Sequence, residues 1–87
     1  MKLRTDGLSW REIDGETVIL DLQSSTYFRA NRTGTVLLQA LTEECSRDRL
    51  VEALTSTYRL APDQAAQDVD HFLSELAERG MLAGSPA

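Results

Sequence analysis

The sequence predicts an α+β domain with winged helix-turn-helix architecture, in which a three-stranded antiparallel N-terminal sheet is followed by three helices. Two observations lead to this prediction. Up to Asn31, apolar and polar residues alternate as they do in strands, whereas later apolar residues recur every three or four positions, as in helices. A short connection at residues 59–61 separates the last two helical patterns, as in a helix-turn-helix beside a small sheet.

The first two strands are predicted at residues 8–13 and 17–22, and Asp14-Gly15 between them suits the positive φ angles of a tight hairpin turn. The second strand has the period-2 pattern of a sheet covered chiefly on one side. One of its faces carries Val18, Leu20 and Leu22, and the other carries Thr17, Ile19 and Asp21.

The third strand is predicted at residues 26–30, after a turn at residues 23–25. Phe28 is expected to point into the core with Thr26 and Ala30 on its face. Tyr27 and Arg29 then share the opposite face. Because this strand is the last before the helices, we expect it to be left as a sheet edge beside the third helix.

The helices are placed by their caps. Asn31 and Thr33 offer oxygens to the amides of a first helix that ends near Thr42. Ser46 is the expected cap of the second helix. Pro62 is tolerated at the first position of the third helix, which is predicted to run to Arg79. Gly80 can then adopt the left-handed conformation that ends a helix and lets Met81 or Leu82 fold back.

The 87 residues are expected to form a single domain, with a core over about residues 8–82 and a flexible tail at residues 83–87. The chain is 41% hydrophobic but only 6% aromatic, which predicts a small and mostly aliphatic core. Its single cysteine, Cys45, has no partner for an internal disulfide. Charged residues occur throughout the first 22 positions, so neither a signal peptide nor a membrane span is predicted, and a cytoplasmic location is expected.

The net charge of the chain indicates which kinds of partner it can bind. A formal charge of −5 and a pI near 4.7 disfavour a surface that neutralises phosphates. A winged-helix transcriptional regulator is nevertheless the alternative function that this architecture suggests. Against it, the third helix would bring acidic residues to the DNA groove: Asp63, Asp68, Asp70, Glu75 and Glu78, opposed only by Arg79.

Catalysis and metal binding have weak support. His71 is the only histidine and has no nucleophile at a useful spacing, so no enzymatic activity is expected. Asp68, His71 and Glu75 share one helical face, but this spacing is common on solvated helices. Neither a metal nor another cofactor is predicted.

Two ordered motifs suggest a family. Asn-x-Thr-Gly follows the third strand at residues 31–34, and Asp-x-x-x-Phe-Leu-x-x-Leu-x-x-x-Gly spans residues 68–80. Together with the second and third strands, they make residues 8–82 similar to the PqqD-like family. Ala30 departs from the larger apolar residue that is usual there, and Met81 stands where leucine is common.

The resemblance implies a RiPP recognition element, a non-catalytic domain that holds the leader of a ribosomally made precursor peptide. A free-standing chain of this size resembles the small partner proteins of lasso-peptide biosynthesis, in which a separate leader peptidase and a cyclase do the chemistry. The implied partners are therefore the precursor leader, the peptidase and the cyclase, with no nucleic acid and no membrane. The chain itself is expected to be a monomer or a weak dimer.

An extended leader could add a strand to the third strand, with side-chain pockets against the third helix. Arg29 and Arg32 would make the strand side basic, and Asp68 and Glu75 would make the helix side acidic. Pairing of two copies through the same strand edge is a further alternative. The predicted peptide-binding residues are Thr26, Tyr27, Phe28, Arg29, Ala30, Asp68, Val69, Phe72, Glu75 and Leu76.

Overall fold

The computed structural model describes residues 1–4 and 6–83 and contains one three-stranded antiparallel sheet, one two-stranded sheet and three helices in those ranges. This arrangement confirms the predicted α+β class. Of the predicted tail at residues 83–87, residues 84–87 lie outside the described residues. The elements in chain order are β1 (Lys2–Leu3), β2 (Leu8–Ile13), β3 (Glu16–Asp21), β4 (Thr26–Ala30), α1 (Arg32–Ala40), α2 (Arg47–Tyr58), α3 (Pro62–Glu78) and β5 (Leu82–Ala83).

The three-stranded sheet has the order β2-β3-β4, so β2 and β4 are its edges. Asp14 and Gly15 adopt φ angles of 53° and 81° in the first hairpin, as the turn prediction required. Ile19 pairs with Phe28 across β3 and β4, and both side chains are buried against the helices. The predicted inward orientation of Phe28 is therefore confirmed.

The helices begin at the predicted caps. The side chain of Asn31 accepts a hydrogen bond from the amide of Gly34 at 2.9 Å, and Ser46 accepts one from the amide of Arg49 at 3.2 Å. Pro62 is the first residue of α3. These local interactions set where α1 and α2 start, and Pro62 marks the start of α3.

The end of α3 also follows the prediction. Gly80 has a φ of 68°, and the amide of Met81 donates to the carbonyl of Leu76 at 2.9 Å. Met81 is thereby folded back and fully buried. The fully buried core includes Leu37, Leu38, Leu41, Leu50, Leu54 and Leu76, so the core is aliphatic as expected.

The pairing of the two ends of the chain was not predicted. Lys2 pairs with Ala83, and Leu3 pairs with Leu82, in the two-stranded sheet of β1 and β5. Leu3 is buried in the core, which therefore begins before residue 8. Ala83, placed in the tail by the sequence pattern, is part of a strand. Strands of two residues have too few positions to show a period, so their pairing could not be read from the sequence.

Arg4 joins three parts of the chain beside this small sheet. Its Nη1 donates to the carbonyl of Gly80 at 2.7 Å, and its Nη2 lies 3.0 Å from Oδ1 of Asp21. Burial of the Asp21 carboxylate raises its pKa, but hydrogen bonds from the backbone of Gln23, from Arg4 and from the backbone of Ser24 outweigh that effect and leave the pKa below its ordinary value. The end of β3 is thus tied to the end of α3 through a charged contact.

No helix within residues 1–4 and 6–83 is both long and apolar enough to cross a membrane.

Candidate functional site

A groove of about 360 Å³ lies between β4 and α3. In the described part of the chain β4 pairs only with β3, so its other side is a free strand edge, as predicted. A free edge presents unpaired amide and carbonyl groups. The groove therefore combines backbone hydrogen-bonding groups on one wall with helix side chains on the other.

Two aromatic rings join the walls of the groove. The ring centroids of Phe28 and Phe72 are 5.8 Å apart, and the rings are tilted by 57°. The guanidinium carbon of Arg79 lies 5.1 Å from the centroid of Phe28, within the range of a cation–π contact. Because Phe28 belongs to β4 whereas Phe72 lies within α3 and Arg79 caps its C-terminal end, these contacts join the strand edge to the helix.

The Asn-x-Thr-Gly motif lines the groove where β4 leads into α1. Asn31 caps α1 through Gly34, and the hydroxyl of Thr33 donates to Oδ1 of Asn31 at 2.8 Å. A Cβ atom on Gly34 would lie 2.9 Å from Cε1 of Phe72 and 3.0 Å from the Cβ of Ala30. The motif therefore combines a helix cap with a residue small enough for the Phe72 ring to pack directly against α1.

The helix wall carries most of the charge. Asp68 and Glu75 both line the groove, and His71 between them places Nε2 3.2 Å from Oε1 of Glu75. The amide of Gln64 donates to Asp68 at 2.9 Å. On the strand side, Arg29 lies 3.4 Å from Glu16. The basic strip that the sequence predicted on this side therefore has an acidic neighbour in space.

The structure brings six of the ten predicted residues together at the groove and separates the other four. Those at the groove are Phe28, Arg29, Ala30, Asp68, Phe72 and Glu75. Tyr27 is 65% exposed and lies on the opposite face of the sheet, as the alternation predicted. Thr26 is exposed at the start of β4, where its hydroxyl lies 2.7 Å from that of Ser24.

Val69 and Leu76 were predicted to bind peptide, but the structure does not place them at the groove. Both are 0% exposed, so they belong to the core beneath α3 and present no surface to the groove. The sequence pattern could not separate them from Phe72, because all three lie on one apolar helical stripe. Only the half-buried Phe72 is turned far enough toward β4 to reach the groove.

Five lining residues were not among the predicted site residues: Asn31, Thr33, Gly34, Leu37 and His71. Three of them belong to the Asn-x-Thr-Gly motif, so the motif itself was the signal that could have placed them. Helical spacing could have placed the other two, since Leu37 lies one turn from Gly34 of the motif and His71 lies one turn from the predicted Asp68.

On the side of α3 away from β4, Asp70 contacts α2. Asp70 accepts hydrogen bonds from Nε and Nη2 of Arg47 at 2.6 and 2.9 Å, a bidentate ion pair that links α3 to α2. The hydrogen bonds from Arg47 lower the pKa of Asp70 below its ordinary value. This exposed pair joins α3 to α2, and Asp70 does not line the groove that Asp68 and Glu75 line.

Within residues 1–4 and 6–83, no three His, Cys, Asp or Glu side chains come together in a group that could hold a metal ion. The predicted face of Asp68, His71 and Glu75 is accordingly a charged wall, in which His71 and Glu75 contact each other.

Comparison with known proteins gives one family and two solved structures. The sequence model of the family described as coenzyme PQQ synthesis protein D (PqqD) matches residues 16–82. A structure of TbiB1 in complex with the TbiA(beta) leader peptide superposes with a TM-score of 0.86 at 30% identity and covers 100% of both chains. A structure of lasso peptide synthetase B1 complexed with the leader peptide has a TM-score of 0.78 at 30% identity, over 92% of this chain and 93% of that chain. No curated protein matches the chain.

Proposed function

The chain belongs to the PqqD family, and we propose on this premise that it is a non-catalytic adaptor for the leader segment of a ribosomally made precursor peptide. Two solved structures that resemble it over more than nine tenths of its length are both complexes with leader peptides. The observation that carries the proposal is the free edge of β4 beside the groove of Phe28 and Phe72. The whole chain acts as one peptide-binding domain.

The leader binds as an added strand on β4. Its backbone pairs with the free amides and carbonyls of the edge, which gives affinity that depends little on sequence. Every second leader side chain then points toward α3 and meets Phe72 with Asp68 and Glu75 around it. Apolar contact gives binding energy there, and the two carboxylates favour a leader with a cationic residue beside its apolar anchor.

The bound leader is presented to enzymes that act on the precursor. In a lasso-peptide pathway these are the leader peptidase and the cyclase, and the adaptor itself catalyses no step. It works in the cytoplasm, where precursor and enzymes meet, as a monomer or a weak dimer and without a cofactor.

The scaffold is a winged helix-turn-helix, with α2 and α3 as the two helices and β2 to β4 as the wing. Its use for peptide rather than DNA follows from charge. Asp63, Asp70 and Glu78 are exposed on α3, so in a major groove the helix would direct carboxylates toward phosphates.

Fluorescence anisotropy with a labelled leader peptide of a lasso-type precursor tests the function. A scrambled peptide and a random DNA duplex serve as controls. The proposal expects low-micromolar or tighter binding to the leader alone, about 8 kcal/mol or more. Equal affinity for the scrambled peptide, or salt-sensitive binding to the duplex alone, would overturn it.

A further inference from the structure

The second edge of the three-stranded sheet, β2, lies beside the end of α1. In the described part of the chain β2 pairs only with β3. Trp10 pairs with the buried Ile19, so its side chain lies on the helix side of the sheet, yet it is 46% exposed. Two hollows of about 200 and 220 Å³ open on this side of β2, and Trp10 lines both. The other lining residues are Leu3, Arg4, Leu8 and Thr42 in the first hollow and Glu12, Thr17, Leu38 and Gln39 in the second. An exposed ring beside unpaired backbone groups is a surface that a further strand can cover.

The free edge of β2 offers backbone hydrogen bonds at every second residue. The two-residue turn that follows Ile13 makes it a hydrogen-bonded partner of Glu16, and hydrogen-bonded pairs alternate with non-hydrogen-bonded pairs along an antiparallel ladder. At the other end of the hairpin the amide of Leu22 donates to the carbonyl of Gly7 at 2.8 Å, in step with this alternation. The amides and carbonyls of residues 8, 10 and 12 therefore point away from β3.

A second copy of β2 can add to this edge in few registers. A two-fold axis perpendicular to the sheet makes the two strands antiparallel and keeps the helices of both copies on one side, so residues of the same face meet. Two such registers pair five strand residues. One sets Arg11 opposite Arg11, which is unfavourable. The other sets Trp10 opposite Trp10 and Arg11 opposite Ser9. Glu12 then stands opposite Leu8, so no like charges face each other.

The register with Trp10 at the axis also brings unlike charges together. Leu8 and Arg4 line the same hollow, so Glu12 of the second copy arrives on the side of an arginine. The Arg4 side chain is 24% exposed beside Asp21, and part of it is therefore accessible. The two-fold axis makes this contact twice. The two Trp10 rings supply apolar contact, and the two contacts between Glu12 and Arg4 select the register.

We propose that the free edge of β2 is a self-association surface, through which two copies join β2 to β2 with the Trp10 pair at the axis and form a continuous six-stranded sheet. The interface covers one short strand edge of each chain, so the dimer is weak. It leaves both β4 edges free at the two ends of the six-stranded sheet. Under the proposed function each dimer would therefore hold two leaders, but the self-association itself does not depend on that function.

Trp10 is the only tryptophan of the chain, so its own fluorescence reports the contact. Sedimentation equilibrium and emission spectra are recorded on the wild type from about 5 μM to about 1 mM, the range of a weak complex. The average mass should rise toward that of two chains. The emission maximum should move to shorter wavelength over the same range, because the ring loses contact with water.

Two threonine variants show whether the Trp10 ring makes the contact. Trp10→Thr should stay monomeric at every concentration, since threonine suits a strand but removes the ring. Ile13→Thr is the matched control, because it replaces a side chain that is 54% exposed on the other face of the same strand. It should dimerise as the wild type does. Circular dichroism verifies that both variants are folded.

Disulfide cross-linking tests the register independently of Trp10→Thr. Cys45 is first replaced by alanine, so that no other thiol competes. Trp10→Cys should then form an intermolecular disulfide on mild oxidation, because the Cα atoms of a hydrogen-bonded pair lie about 5.5 Å apart. Arg11→Cys is the control. Its two copies lie diagonally, about 7–8 Å apart, and should stay reduced.

A wild type that remains monomeric at the highest concentration would overturn the inference. Equal loss of the dimer in the two threonine variants would do the same, as would a disulfide in Arg11→Cys alone. Leader peptide should bind the dimer without dissociating it, whereas dissociation by leader would place the contact at β4 and also overturn the inference. Failure to bind leader at all removes the proposed function and leaves this inference standing.

Discussion

The rings of Phe28 and Phe72 lie 5.8 Å apart across the groove, one on the edge strand and one on the last helix. This contact decides how far the free edge of β4 stands from α3. The guanidinium of Arg79 also contacts the Phe28 ring, at 5.1 Å from its centroid. Phe28 therefore belongs both to the hydrophobic core and to the groove. Effects on leader binding and on stability can be measured separately only with substitutions on opposite faces of β4.

Tyr27 and Phe28 make such a pair. Phe28→Ala should lower the free energy of unfolding by about 3–5 kcal/mol, because a ring that is 5% exposed is removed from the core. Tyr27→Ala should leave stability nearly unchanged but weaken leader binding, since its side chain is mostly exposed at the peptide edge. Denaturant unfolding and anisotropy titration check the two effects. Comparable destabilisation by both variants would contradict the assignment of Tyr27 to the surface.

Gly34→Ala should impair the groove. Helix propensity alone favours alanine by about 1 kcal/mol. The new Cβ would, however, lie 2.9 Å from Phe72, so the ring or the helix must shift, at a cost of about 1–3 kcal/mol. Because the displaced ring lines the groove, leader affinity should fall even where overall stability changes little. Affinity equal to that of the wild type would show that Phe72 does not contact the leader.

The acidic wall can be tested with isosteric amides. Asp68→Asn and Glu75→Gln should each reduce leader affinity several-fold and weaken its dependence on salt, as expected when one charge contact is lost. Asp70→Asn is the matched control on the same helix, because Asp70 faces Arg47 and not the groove. It should lower stability and leave affinity unchanged. If all three variants reduced the affinity, leader binding would depend on the total negative charge of α3 and not on the two carboxylates that line the groove.

Acid should weaken the contact between Arg4 and Asp21. The folded protein holds the pKa of Asp21 below its ordinary value of about 3.9, so the ionised carboxylate is stabilised by folding. That contribution is complete above the ordinary pKa and is lost as the pH falls through the lower pKa of the folded state. In Asp21→Asn, stability measured by thermal unfolding should therefore fall less steeply below about pH 4 than in the wild type. Parallel profiles in the two proteins would contradict this role.

The sequence predicted most of the fold because its signals are local. The caps at Asn31 and Ser46, the turn at Asp14-Gly15 and the stop at Gly80 each depend on a few neighbouring residues, and all four stand where they were predicted. The pairing of β1 with β5 joins residues that are distant in the chain, so no local pattern indicated it.

The candidate site was predicted less completely. Alternation placed Phe28 and Tyr27 on their correct faces, but helical spacing alone could not tell Phe72 from Val69 and Leu76. That distinction depends on how α3 is rotated against β4, which is limited by the close contact between Gly34 and Phe72. This is a tertiary contact between residues that are distant in the sequence.

Amide hydrogen exchange with and without leader peptide tests the addition of a strand to β4 most directly. If the leader pairs with the edge, alternate amides of residues 26–30 should exchange at least about tenfold more slowly in the complex, because N–H groups that faced solvent become hydrogen-bonded. The amides of β2, on the other edge of the same sheet, should be unchanged. Protection confined to β2, or none in β4 at a saturating leader concentration, would contradict the account.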